Sequence, residues 1–360
     1  MIGELGHLIA RRIALTGPIT IADFMAESLG HPRLGYYRRT QPLGAAGDFT
    51  TAPEISQMFG ELLGAWLAER WQAMGAPPSV RLVELGPGRG TLMADALRAT
   101  RGVAGFHAAL DLHLVDINQP LRAAQEAALG AYRPSWHERF DDVPGDVSGG
   151  PMLLVANEFF DALPMRQFEK TGRGWAERMV GLSSDGEALT LALTPGATPF
   201  SAYLPPASEG AQAEICEAGR ALAATIGARV RRFGGWALII DYGYDNGHGA
   251  SLQAVRDHRG TDILERPGEV DLSAHVDFAA LAVAAGTRAF GPVGQGDFLR
   301  RLGIAHRAES LKARATPQQR SVIDAALLRL IDPDQMGTLF RVLAVGDTES
   351  AAPVGFSDGT

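Results

Sequence analysis

An apolar run beginning at Val80 ends in an acid, Glu84, and is followed at once by glycines at alternate positions, Gly86, Gly88 and Gly90. No other stretch constrains the fold as strongly. The run reads as a buried strand reaching the edge of a sheet, and the glycines read as a tight turn leading into a helix. Glycine carries no Cβ, so the turn can take positive φ values and let a ligand approach its backbone N–H groups. Two other glycine-rich turns fit poorly. A dinucleotide turn has the spacing G-x-G-x-x-G and meets a pyrophosphate that Glu84 would repel, and a phosphate loop ends in G-K-[ST], which is absent.

The pattern E-x-G-x-G-x-G instead suits a cationic, phosphate-free nucleoside, and S-adenosyl-L-methionine (SAM) is such a ligand. Glu84 is then expected to anchor the positively charged end of its methionine part. A second short apolar strand, Leu112 to Val115, also ends in an acid, Asp116, with a helix-like segment from Thr91 to Thr100 between the two. This strand-turn-helix-strand spacing puts Asp116 beside the first turn at the carboxyl edge of a parallel sheet, where it can accept hydrogen bonds from ribose hydroxyls. Taken singly, each acid reads equally well as a strand cap on a solvated edge. Taken with Gly86, Gly88 and Gly90, the pair favours a cofactor site.

Composition sets outer bounds. The 360 residues, 46% of them hydrophobic, suffice for one large α/β core with an appendage. A net charge of −8 argues against a nucleic-acid partner, and the basic patch from Arg229 to Arg232 reads as a solvated helix end. The single cysteine, Cys216, excludes an internal disulfide framework and a zinc cluster, so no metal is expected and a reducing compartment fits. No apolar stretch reaches membrane-spanning length, and Met1 to Leu15 carries Glu4 and amphipathic spacing rather than a signal-peptide plan. These features predict a cytoplasmic protein, or a mitochondrial matrix protein if the chain is a processed eukaryotic form.

The chain order is legible. Thr20 with Asp23 predicts a capping box opening a helix to about Leu29, and Thr51 with Glu54 predicts another opening a longer helix to about Met74. Residues 1–75 are therefore expected as an N-terminal helical lid region. Strands are expected at Val80 to Glu84, Asp111 to Asp116, Met152 to Asn157, Trp236 to Asp241 and Leu339 to Val345, with helices between most of them, which is a doubly wound, Rossmann-like sheet. Short strand-like pieces between Met165 and Leu193, broken at Gly172 to Gly174 and Ser183 to Gly186, predict an inserted antiparallel segment with hairpin turns. The methyltransferase domain is thus expected over 76–347 with an insertion around 165–232, and residues 348–360 as a disordered tail.

The third expected strand runs into Asn157-Glu158-Phe159-Phe160-Asp161. In methyltransferases with nitrogen nucleophiles, the loop after this strand meets both the sulfonium methyl and the acceptor, so Asn157, Glu158 and Asp161 are candidate catalytic groups. Two carboxylates suit an arginine, whose planar guanidinium they can hold bidentately while one nitrogen attacks. The alternative makes Glu158 a helix-cap partner and both phenylalanines core residues.

With these residues in view the chain resembles the MidA family over nearly its whole length. The resemblance is carried by Gly47 to Glu61 (GDFTTAPEISQMFGE), the glycine turn, Asn157 to Pro164, Asp241 to Tyr244, Ser251 to Val255 and Asp271 to Phe278. It implies a class I SAM-dependent methyltransferase fold. It also implies protein arginine methylation, because mitochondrial members of the family act in assembling respiratory complex I and are assigned as methylating an arginine on one of its subunits. The absence of a targeting leader points to a bacterial or processed protein. A methyltransferase-fold assembly chaperone without turnover, or a small-molecule methyltransferase, would share much of this pattern.

The remaining family segments have physical readings of their own. Tyr37, with Gly35 and Tyr36, and the loop containing Asp48 and Thr51 precede the first strand and are expected to fold over the cofactor and exclude water. Asp48 and Thr51 read equally as turn and cap residues. His275 either pairs with an acid at the acceptor side or lies in the first turn of a helix capped by Ser273.

Overall fold

The computed structural model describes residues 2–39, 51–145, 150–245, 249–256 and 259–356. The chain divides into two units: Met1–Pro42 with Asp161–Ala221 and Asn246–His275, and Leu43–Phe160 with Leu222–Asp245 and Val276–Thr360. This partition differs from the expected one. Residues 1–75 do not stay together, since their first part shares a unit with the antiparallel insertion. A second insertion, Asn246–His275, joins them, and the helix Glu217–Phe233 crosses the division near which the first insertion ends.

The second unit holds the expected doubly wound sheet. Its strand order is Arg288–Gly294, Phe340–Gly346, Gly235–Tyr244, Met152–Asn157, Val80–Leu85, Leu110–Val115 and Ser135–His137, with Val276–Asp277 paired to Gly235–Tyr244. The strands from Gly235–Tyr244 to Ser135–His137 run parallel, and Phe340–Gly346 is antiparallel to both neighbours. Chain order reverses between Val80–Leu85 and Met152–Asn157, so the carboxyl ends of those two strands flank the switch point where open α/β sheets bind ligands. Val80–Leu85 and Met152–Asn157 are buried at every position, which is why they are mostly apolar on both faces rather than alternating, with Arg81 and Glu84 as the charged exceptions. The strand expected to stop at Asp241 continues to Tyr244, because Gly243 and Tyr244 pair with Val276 and Asp277.

Helix Gln57–Ala73 packs on Thr91–Ala99 through a backbone-to-backbone approach. A Cβ at Gly64 would lie 2.5 Å from the carbonyl oxygen of Ala96, so this position admits only glycine. The expected capping box at Thr51 and Glu54 is not formed. Thr51 makes no side-chain cap bond, a four-residue helix Ala52–Ile55 ends at Ser56, and Ser56 caps the following helix through Met58 N–H (3.2 Å). Glu54 accepts instead from Thr91 Oγ1 at 2.7 Å, a tertiary partner that local spacing does not reveal.

The first unit carries the other expected features. The capping box of Thr20 and Asp23 opens helix Ile21–Gly30. The hairpin strands are Arg166–Thr171, Gly174–Leu182 and Leu189–Leu193, joined by Ile19–Thr20 and Gln212–Ile215 in one sheet. Leu5, Ile9 and Ile13, four residues apart on one helix face, enter a core with Phe24, Met25 and Val180.

The tail does not follow the expectation of disorder as far as Phe356. The Val354 carbonyl accepts from Trp66 Nε1 (3.0 Å), Gly355 accepts from Arg301 (3.1 Å), and the Phe356 ring packs 5.4 Å from Phe298. Phe356→Ala is therefore expected to cost about 2–4 kcal/mol of stability, read as a lowered urea midpoint with unchanged slope. An unchanged midpoint would show the tail to be uncoupled from the fold. Among the described residues, no helix is long and apolar enough to cross a membrane, and no group of three His, Cys, Asp or Glu side chains is placed to hold a metal ion.

Candidate functional site

The site begins where Val80–Leu85 leaves the sheet. Gly86, Gly88 and Gly90 all have positive φ, at 64°, 55° and 82°, and Gly86 N–H is tied to the Val115 carbonyl at 2.9 Å. A Cβ at Gly86 would stand 2.9 Å from Phe159 Cδ2, so the turn needs glycine for space as well as for dihedral angle. Gly90 then starts helix Thr91–Ala99.

Glu84 is 3% exposed, and its Oε2 has no hydrogen-bond partner among the described residues. Burial, reinforced by the Asp116 carboxylate, pushes its pKa up to about 8. Asn157 is likewise buried, with its Oδ1 unpartnered among the described residues and its Nδ2 donating to Glu158 Oε1 at 3.2 Å. Both line a cleft of the second unit, shared with Thr51, Gly86, Gly88 and Glu158. Two buried acceptors without donors beside a glycine turn are the arrangement an ammonium group completes. These residues therefore fit the methionine end of SAM.

Asp116 follows its strand as expected, and its backbone N–H bonds the His137 carbonyl (2.9 Å). Its Oδ1 accepts from Asn118 N–H (2.7 Å) and its Oδ2 from Gln125 Nε2 (2.9 Å). It lines a neighbouring groove with Asn118, Arg122 and Trp136. Gln125 was not foreseen from the sequence. The available signal was a glutamine in register with the buried Leu121 and Leu129, four residues away on either side.

Glu158 sits at φ 51°, a left-handed conformation that is unusual and costly without glycine. Its N–H bonds the Ile240 carbonyl (2.9 Å), and its Oε1 accepts from Ala52 N–H (3.0 Å) at the start of helix Ala52–Ile55. The cap-partner role and the cleft position thus coexist in one side chain. The conformation is held by Asp241, which is fully buried. Its Oδ2 accepts from Phe159 N–H (3.1 Å) and Phe160 N–H (2.9 Å), and its Oδ1 from Tyr242 N–H (3.0 Å).

Tyr37, Asp161 and His275 belong to the first unit. Tyr37 donates to Asp271 Oδ1 at 2.9 Å. Burial, then Asp271 and Asp161, hold its hydroxyl well above the ordinary tyrosine range, so it remains a neutral donor. The Asp161 carbonyl accepts from Ala274 N–H (2.9 Å). His275 is not in a helix capped by Ser273. Ser273 ends strand Asp271–Ser273, and the following helix, Phe278–Ala285, is capped by Asp277 through Ala280 N–H (2.9 Å). His275 N–H donates to Ser251 Oγ (2.8 Å), and Ser251 in turn donates to Glu214. Glu214 also accepts from Gln167 Nε2 (2.8 Å) and Leu252 N–H (3.1 Å), a buried carboxylate that fixes the loop at Ser251. Burial lowers the His275 pKa, favouring the neutral ring. Asp48 lies outside the described residues.

A family model described as "Putative S-adenosyl-L-methionine-dependent methyltransferase" matches residues 62–293. The chain is 36% identical to "Protein arginine methyltransferase NDUFAF7, mitochondrial" of Danio rerio, the match covering 97% of this chain and 88% of that protein. It is also 36% identical to the Homo sapiens protein of that name, over 95% and 82%. A Burkholderia thailandensis protein solved with S-adenosyl-homocysteine (SAH) bound superposes with a TM-score of 0.85 at 31% identity, over 99% of this chain and 95% of that one. The two curated relatives are mitochondrial by name and lend no support to a cytoplasmic location.

Proposed function

This chain belongs to that S-adenosyl-L-methionine-dependent methyltransferase family, and from this premise we propose that it methylates an arginine side chain of a protein, with a respiratory complex I subunit as the first candidate. That it is a methyltransferase using SAM rests on the family itself, on the SAH-bound neighbour and on the fold. The observation that carries the site is the buried, unpartnered Oε2 of Glu84 beside the glycine turn. The arginine assignment is supported by what the relatives are named for, matched along nearly the whole chain. Their mitochondrial names favour the matrix as its compartment.

SAM supplies an electrophilic methyl group on a sulfonium. In our assignment Glu84 and Asn157 hold its ammonium, Gly86 and Gly88 give it backbone access, and Asp116 accepts from the ribose. Thr51 closes the same cleft. Glu158, kept in place by Asp241, is the carboxylate assigned to the guanidinium. It orients the acceptor and balances charge as the N–C bond forms, the S–C bond breaks to leave a neutral thioether, and the released guanidinium proton passes to the Glu158 carboxylate and on to water. Asp161, beside Tyr37, is a second acidic position, in the first unit. His275 is assigned to ordering the loop at Ser251 rather than to the transfer.

The test separates acceptors. Extract from cells lacking this protein, incubated with methyl-labelled SAM and pure enzyme and then hydrolysed to amino acids, is expected to yield methylated arginine. Lysine arrives as a protonated point charge without a lone pair, and a site for a planar fork gives it no route to nucleophilicity. Label recovered only as methyl-lysine or in a small molecule would overturn the arginine assignment and leave the methyltransferase standing. Tight SAH binding with no label transferred to any acceptor would favour a chaperone role.

A further inference from the structure

The glycine turn and Asp116 come from two paired strands, and one side chain bonds both. Gln125 is 1% exposed, on helix Arg122–Leu129. Its Nε2 donates to the Gly88 carbonyl at 2.8 Å and to Asp116 Oδ2 at 2.9 Å, which uses both amide hydrogens. Its Oε1 accepts from Trp136 Nε1 at 2.9 Å. An indole N–H can only donate, so Trp136 fixes which end of the amide faces the turn and which faces away. Trp136 is itself anchored, with the Arg122 guanidinium 4.9 Å over its ring. The helix carrying Gln125 lies close against the turn, since a Cβ at Gly90 would come within 3.5 Å of Gln125 Cα.

We propose that Gln125 is a positioning residue for the cofactor: its amide clamps the Gly88 carbonyl to the Asp116 carboxylate, holding the backbone face and the ribose acid at the spacing one nucleoside requires. The role rests on the SAM reading and adds to it a residue that does not touch the reaction centre. Three saturated bonds leave the amide no alternative orientation, and a polar network satisfied in this way specifies one geometry. The donors matter more than the volume. A methionine fills the same length but gives neither Gly88 nor Asp116 a hydrogen. A glutamate keeps the acceptor for Trp136 but sets a carboxylate against Asp116, and it regains a single donor only when a proton is shared between the two.

The experiment is calorimetric binding of SAH by the full chain, wild type, Q125E and Q125M, between pH 6 and pH 8, with thermal unfolding of each unliganded protein as the control. Q125M is expected to bind on the order of 10-fold to 100-fold more weakly than wild type, by the same factor at each pH. Q125E is expected to show a deficit of about 100-fold at pH 8 that narrows several-fold by pH 6, as the shared proton restores one donor. A merely structural role would weaken both variants alike with no narrowing for Q125E, and would overturn the proposal. So would wild-type affinity in Q125M. If Q125E does not fold, Q125M decides: weaker SAH binding at a wild-type melting temperature supports the clamp, and a lowered melting temperature with weaker binding, or wild-type affinity, overturns it. A wild-type chain that takes up no SAH at any pH overturns the cofactor reading and the clamp with it, an outcome distinct from weak binding confined to the variants.

Discussion

Asp241→Ala is expected to lower the rate of methyl transfer by at least about 10²-fold while weakening SAH binding far less. Asp241 is fully buried. It holds the Phe159, Phe160 and Tyr242 N–H groups, and thereby the turn in which Glu158 keeps a φ of 51°. A left-handed glutamate costs about 1–3 kcal/mol and persists only where its surroundings over-determine it. Without the carboxylate the turn can relax, and Glu158 loses its place beside the Ala52 N–H. A displacement of about 1 Å at an orienting group is enough for the stated loss of rate. The variant also strands N–H groups at a buried position, a penalty of about 2–4 kcal/mol that a domain of ordinary stability survives at 25 °C. Asp241→Asn tests the same point more gently. Its one carbonyl oxygen can serve Phe159 and Phe160, but its amide nitrogen then opposes Tyr242 N–H, so an intermediate rate is expected. Rates measured with the extract acceptor, beside SAH calorimetry, distinguish the outcomes. Wild-type turnover in Asp241→Ala would mean that the shape of the Glu158 turn has no part in catalysis.

Asp241 also shows where sequence reasoning stops. The glycine turn, the strand ends at Glu84 and Asp116 and the positions of the central strands were readable because each is a local pattern. An apolar run ending in an acid and then alternating glycines fits few other structures, and buried parallel strands show as mostly apolar stretches without strict alternation. The antiparallel hairpins between Arg166 and Leu193 were readable for the same reason, from their turn residues. What failed depended on partners far away in the chain. Glu54 looks like the second half of a capping box with Thr51, yet it bonds Thr91. Ser273 looks like a helix cap ahead of Phe278, yet it ends a strand while Asp277 takes the cap. The polar tail was expected to be disordered, yet Val354 to Phe356 are held by Trp66, Arg301 and Phe298. Gln125 and Glu214 escaped notice because a buried polar group reveals itself by what it bonds, and composition carries no trace of that. The unit boundaries were missed because two separate insertions fold with the N-terminal helices, a pairing that hydrophobic period along the chain cannot encode.

SAH affinity is expected to rise about tenfold per pH unit between pH 6 and pH 7.5, with close to one proton released on binding, and Glu84→Gln is expected to remove both effects. The sign follows from burial. In the unliganded protein the Glu84 carboxyl is held up to about 8, so below that pH it is mostly neutral. The methionine ammonium favours the ionised form, and pairing with it must expel the proton. Each unit of pH below about 8 therefore costs roughly 1.4 kcal/mol of apparent binding energy. The unliganded protein is expected to show the opposite trend. A carboxyl whose folded pKa is raised contributes stability that is complete below the ordinary carboxylate range and is lost as pH rises through about 8. Its melting temperature is thus expected to fall from pH 6 to pH 9, while the stabilisation added by SAH grows. Glutamine in place of Glu84 keeps the shape and an acceptor but cannot ionise. It should flatten both pH profiles and bind SAH about 10-fold to 100-fold more weakly than wild type at pH 7.5, the worth of one charge-assisted bond. Titrations in two buffers of different ionisation heat give the proton count directly. A wild-type affinity independent of pH, with no proton released, would show that Glu84 is not the group that meets the ammonium, and the anchor would then have to be sought at Asn157 and Glu158.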